Sequence, residues 1–111
     1  ELVRLTARSM LEKCGYNVIT ASDAIEGLRL FREKQDEIDM ILMDLVMPKM
    51  SGDIASAEIR KTAPDARILL ASGLTYDTRV ERAMNAGKTA VIQKPYTIEK
   101  LAGAVYDLLT E

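Results

Sequence analysis

Three short runs, DMILMD (39–44), ARILLAS (66–72) and TAVIQ (89–93), carry apolar side chains at odd and even positions alike. A strand with one wet face alternates apolar and polar residues, whereas a strand covered on both faces reads as a continuous apolar run. Between and after these runs lie stretches with helical spacing. DIASAEIRK (53–61) follows the first, and YDTRVERAMNAG (76–87), with Val80, Ala83 and Met84 inward, follows the second. Few folds accommodate that alternation. It predicts a parallel sheet with helices on both sides, joined by right-handed crossovers.

The remaining segments fit the same scheme. Val3, Ala7, Met10, Leu11 and Cys14 form one helical stripe, and Gly15 is placed to stop that helix. YNVITAS (16–22) reads as a further strand. Asp23 with Glu26 three residues later predicts a capping box for a helix bearing Leu28 and Phe31, with Gly27 costing it about 1 kcal/mol against alanine. Gly87 stops the 76–87 helix. Thr97 caps a last helix with Ile98, Leu101, Ala102, Val105, Leu108 and Leu109 on one face. The chain opens on a helix with no strand before it.

Its 111 residues suffice for one domain with a single core. Apolar residues make up 48% and charged residues 29%, a globular balance. No apolar run is long enough to span a bilayer. A formal net charge of −2 without any basic block argues against direct nucleic-acid binding. The one cysteine, Cys14, excludes an internal disulfide, suits a reducing cytoplasm and is expected to be packed. Histidine is absent, which removes serine–histidine triads, histidine-bound zinc and any histidine phosphodonor from this segment.

Ligands of open parallel sheets bind outside the carboxyl ends of the strands. Three runs end there in polar residues: Asp44, Ser72 and Lys94. Each also has a plain reading, as a turn-starting aspartate, a serine of loop chemistry and a solvated strand terminus. Coincidence at three successive strand ends favours the functional reading: an anion, a hydroxyl and a cation facing one another across neighbouring strands. The methionines around Asp44 (Met40, Met43, Met47, Met50) read as packing. The charged run 32–37 reads as a solvated helix end.

DLVMPKMSG (44–52), followed by LLASG (69–73) and VIQKPY (91–96), resembles the receiver domain of two-component response regulators and hybrid histidine kinases. The resemblance covers essentially the whole chain. It implies a flavodoxin-like, doubly wound sheet of strand order 2-1-3-4-5. It also implies that Asp44 is the phosphoacceptor, that Mg²⁺ or Mn²⁺ binds Asp44 and the backbone carbonyl of Val46, and that Ser72 and the Gly73 amide contact the phosphoryl group. Lys94 would pair with a phosphoryl oxygen, and Pro95 would follow a cis bond. The implied partners are a histidine kinase or histidine phosphotransfer domain, and a second copy through the face of the fourth helix, fifth strand and fifth helix. Such a domain catalyses its own phosphoryl transfer and slow autodephosphorylation.

Two departures from the family pattern stand out. Val91 stands where an aromatic switch residue is usual. The family's first strand, with the acidic pair at its end, is missing, so residues 1–111 are expected to be an N-terminally truncated receiver whose remaining metal ligands lie upstream of Glu1. An unphosphorylated pseudo-receiver acting as an interaction module is the alternative. An aspartyl-phosphate phosphatase ranks last, because Val46 occupies the place of the second acid in D-x-D-x-T. Nucleotide-binding folds are excluded by the lack of a glycine-rich phosphate loop.

Overall fold

A computed structural model describes residues 2–47, 49–73, 78–84 and 87–111. Helix α1 (Leu2–Lys13) is followed by α2 (Ala24–Lys34), a 3₁₀ turn (Gln35–Glu37), β1 (Ile41–Asp44), α3 (Gly52–Thr62), β2 (Ile68–Ser72), α4 (Thr78–Met84), β3 (Thr89–Gln93) and α5 (Ile98–Leu109). The strands form a parallel sheet in the order β1-β2-β3. The fold is therefore α/β with a parallel sheet, as the apolar runs require.

Side-chain alternation along the strands divides the core in two. Ile68 and Leu70 point toward Leu28, Phe31, Ile59 and Ala83 of α2, α3 and α4, joined by Ile41, Met43 and Val91. Leu69 and Ala71 point to the other side, packing with Leu101, Val105 and Leu108 of α5 and with Met10 and Leu11 of α1. Central β2 is buried along its whole length. Burying several large side chains on each face supplies the main favourable term, at about 25 cal/mol per Å² of apolar surface.

The local signals act as read. Asp23 caps α2, its Oδ1 accepting the Glu26 N–H at 2.9 Å, and Thr97 Oγ1 does the same for Lys100 N–H at 3.2 Å on α5. The capping box is half formed, because the Glu26 carboxylate accepts from the Ser22 hydroxyl at 2.7 Å. Gly15 (φ 94°) ends α1 in the left-handed region that glycine enters without strain.

Several expectations need correction. Residues 16–22 form no strand. Extended backbone becomes a strand only when a neighbour accepts its hydrogen bonds, and only β1, β2 and β3 pair among the described residues. β1 is half-buried along its length, and β3 is half-buried over residues 89–91 with Ile92 buried and Gln93 exposed, since each lies at an edge of this sheet although both faces are covered. Met84 is 47% exposed, because the short α4 turns only Ala83 into the core. Cys14 is exposed at the end of α1. Positions 76–77 and 85–86 of the expected fourth helix lie outside the described residues.

Candidate functional site

Parallel pairing carries the polar strand ends to one edge. Asp44 stands opposite Ala71, and the Leu45 N–H continues the ladder to Ala71 O at 2.9 Å. On the other side of β2, the Lys94 N–H donates to Ser72 O at 2.8 Å. Asp44 and Lys94 therefore flank the end of β2. Lys94 Nζ reaches across it to Asp44 Oδ1 at 3.0 Å, with the two side chains 31% and 37% exposed. A pair this open contributes at most about 1 kcal/mol to stability. Its interest is chemical: a carboxylate held against a cation, at a rim that ligands can reach.

Ser72 is buried at 2% exposure, and Gly73 is exposed with open space around the position a Cβ would take. The Val46 side chain is 69% exposed. The Lys94–Pro95 peptide bond is cis. Val91 is half-buried on the side of α2, α3 and α4, opposite Leu70.

Sequence reasoning missed three contributors. Gly52 entered only as the last residue of the DLVMPKMSG motif, yet a Cβ there would overlap Asp44 O and lie 2.9 Å from Leu45 Cα. Its N–H donates to Leu45 O at 2.7 Å, closing the 45–51 loop at its neck. Lys49, left-handed at φ 71°, reaches Asp23 Oδ2 at 3.1 Å. The Glu26 N–H and the Lys49 ammonium together hold the Asp23 carboxyl below its usual range. Tyr96 packs on the α5 side of the sheet, where burial, aided by the negative charge of Asp44, pushes its phenol above the ordinary tyrosine value. The glycine in MSG and the tyrosine after Lys-Pro were visible in the sequence. The contacts that give them meaning are long-range.

The donor set suits a hard divalent ion such as Mg²⁺ or Mn²⁺, which takes carboxylate, carbonyl and water oxygens. Asp44 offers such a carboxylate at this edge, 37% exposed. Among the described residues no group of three or more acidic, histidine or cysteine side chains converges, so the fit is that of a partial site. Among the same residues, no helix is long and apolar enough to cross a membrane.

Comparison with known proteins places this geometry in context. The family model of the response regulator receiver domain matches residues 1–106. The sensor kinase CckA of Brucella abortus is 31% identical over 109 residues, which is 98% of this chain but 12% of that protein. A response regulator receiver domain protein from Clostridium thermocellum superposes with TM-score 0.92 at 31% identity, covering 98% of this chain and 86% of the other. A CheX–CheY–BeF3–Mg²⁺ complex from Borrelia burgdorferi gives TM-score 0.87 at 25% identity, covering 99% and 82%.

Proposed function

The chain belongs to the response regulator receiver domain family of two-component signalling, and from that premise we propose that Asp44 accepts a phosphoryl group from a phosphohistidine on a partner. The observation that carries the proposal is the Asp44–Lys94 contact at 3.0 Å, beside buried Ser72, at the carboxyl edge of the sheet. In the step, an Asp44 oxygen forms the new P–O bond while the P–N bond to the donor imidazole breaks, its electron pair going to the ring nitrogen; the donor ring, already protonated on its other nitrogen, leaves as neutral imidazole. Approach of two anions is the barrier. The Lys94 ammonium, already at the carboxylate, lowers it by shifting onto a phosphoryl oxygen as charge accumulates. The Ser72 hydroxyl and the Gly73 amide then donate to the remaining oxygens. Asp44 and the Val46 carbonyl would hold Mg²⁺ or Mn²⁺, whose chemistry when bound is to neutralise phosphoryl charge.

The same proposal includes the rest of the fold and the partners. Over residues 17–20, exposed Asn17 and Ile19 alternate with half-buried Val18 and Thr20, the period of a strand. A strand seated between this segment and β1 would give the order 2-1-3-4-5 and bring the further acidic ligands to Asp44. The resemblance to a sensor kinase supports a histidine kinase or phosphotransfer domain as donor. Drawing Ser72 toward the phosphoryl group would reshape the face of α4, β3 and α5, the surface offered to a target or a second copy. Val91 sits in the core as a stiff β-branched residue, so this response proceeds without an aromatic flip. A small charge change thereby biases a surface.

A pseudo-receiver that only binds partners is the second reading, favoured by the lack of a converging acidic group among the described residues. Acetyl phosphate with Mg²⁺, applied to a protein that carries the proposed acidic strand, separates the two. The phosphoacceptor reading expects one acid-stable, hydroxylamine-labile phosphoryl group, absent in Asp44→Asn. Equal labelling of Asp44→Asn removes Asp44 from the role, and no labelling of any form leaves the interaction module.

A further inference from the structure

Among the described non-glycine residues, Lys49 is the one with positive φ, at 71°. A lysine gains nothing locally from the left-handed region, which glycine and asparagine enter more easily. Backbone held in a sparsely populated region persists only where its surroundings enforce it, and such positions gather at functional sites. What lysine supplies and glycine cannot is the ammonium. It reaches Asp23 Oδ2 at 3.1 Å, across 26 positions of chain.

Asp23 is engaged on both oxygens. Oδ1 accepts the Glu26 N–H at 2.9 Å as the N-cap of α2, while Oδ2 takes Lys49. The carboxylate is only 16% exposed, whereas the lysine side chain is 63% exposed. One anchored anion therefore ties the first turn of α2 to the loop that follows Asp44. At its neck the loop is closed by the Gly52 N–H to Leu45 O bond of 2.7 Å, where no Cβ fits. The loop is thus held twice, at its neck and beyond Val46.

We infer that Lys49 is a positioning residue for the Asp44 site, holding the 45–51 loop in place through Asp23. The inference rests on the phosphoacceptor reading for its consequence, since this loop carries the Val46 carbonyl. An exposed ion pair that merely decorates a surface is worth little. This one joins two elements, and without it the left-handed turn at Lys49 loses what compensates it.

Amide hydrogen exchange at Gly52, measured without metal or phosphoryl donor, tests the strut directly. Lys49→Gln and Asp23→Asn (asparagine keeps the α2 cap acceptor) should each speed exchange two- to fivefold, the size of such a pair. The double variant should be no faster than either single, and Lys49→Arg should match wild type. Lys49→Gly should melt no lower than wild type, because glycine relaxes the turn, yet exchange Gly52 faster. In acetyl-phosphate labelling, the Mg²⁺ concentration for half-maximal rate should rise by the same factor, with the plateau rate unchanged. Unaltered Gly52 exchange in both single variants, or additive effects in the double, overturns the inference. Failure of wild type to label while the exchange results hold would instead sink the phosphoacceptor reading and leave the strut standing.

Discussion

Replacing Gly52 by alanine should destabilise the protein although the position opens a helix. Elsewhere in a helix the exchange stabilises, because alanine surpasses glycine by about 1 kcal/mol in propensity. Here the new methyl overlaps Asp44 O and lies 2.9 Å from Leu45 Cα and 3.0 Å from Asp44 C. All three are backbone atoms, so no side chain can swing aside. Overpacking of this kind costs roughly 1–3 kcal/mol. Forcing α3 away from β1 also weakens the Gly52 N–H to Leu45 O bond, about 1 kcal/mol more. Set against the propensity gain, the net loss is about 1–3 kcal/mol. For a chain of this length it lowers Tm by about 4 °C or more per kcal/mol. Gly27 and Gly103 are the internal controls. A methyl at Gly27 meets Ala21 Cβ at an ordinary 3.7 Å and one at Gly103 meets nothing within 4 Å, so each alanine variant should stabilise by roughly 0.5–1 kcal/mol. Thermal melts read by circular dichroism, with amide shifts of Asp44 and Leu45, give the answer. A Gly52→Ala protein that melts with or above the other two, its Asp44 amide unmoved, refutes the close approach.

Three further outcomes follow from other contacts. Lys94→Ala should keep a melting temperature within a few degrees of wild type while losing most acetyl-phosphate labelling; a collapsed fold would make Lys94 structural. Arg60→Met should cost about 2–4 kcal/mol in urea unfolding, because the guanidinium donates to Pro64 O, Ala66 O and Thr89 Oγ1 at 3.1, 2.7 and 2.6 Å; a midpoint unchanged from wild type would show those bonds to be dispensable. Tyr96 has a raised folded pKa, so its contribution is complete below its ordinary value of 10.0 and is lost as pH rises through the higher folded value. Tyr96→Phe should therefore flatten the alkaline fall in stability above about pH 10, and an identical alkaline limb in both proteins would refute it.

Legibility followed the range of the interaction. β2 and both core faces were readable because burial on two sides leaves an unbroken apolar run, and the caps at Asp23 and Thr97 because their partners lie three residues away. Of the three strand ends, Asp44 and Lys94 meet across β2, since parallel pairing aligns carboxyl termini. Long-range contacts were invisible. Nothing near Lys49 announces Asp23, and nothing near Gly87 announces Arg60, whose guanidinium would sit 2.9 Å from a Cβ there. Residues 16–22 failed for a different reason. Their composition favours a strand, but strand formation depends on a neighbour that no local pattern encodes.

That failure connects with two other features of the same edge. The four residues of β1 are half-exposed although apolar side chains cover both its faces, so the exposure comes from the edge itself. Asp44, at the end of that edge, is met by a lysine but by no cluster of acids among the described residues. Tyr16 shares the α5-side core with Met40 and Leu42, while Asp23 bonds Lys49 of the loop that follows β1, so the segment between them leads from the start of β1 toward the loop at its end. An apolar edge with free backbone groups is costly and is normally paired or blunted by charge. The only charge on β1 is Asp44, which is engaged at the site. One proposed element, a parallel strand between residues 17–21 and β1 that ends in acidic side chains, accounts for all three features. It would pair both edges and turn a lone carboxylate into a divalent-ion site. No separate explanation is then required for the failed strand, the open edge and the incomplete donor set.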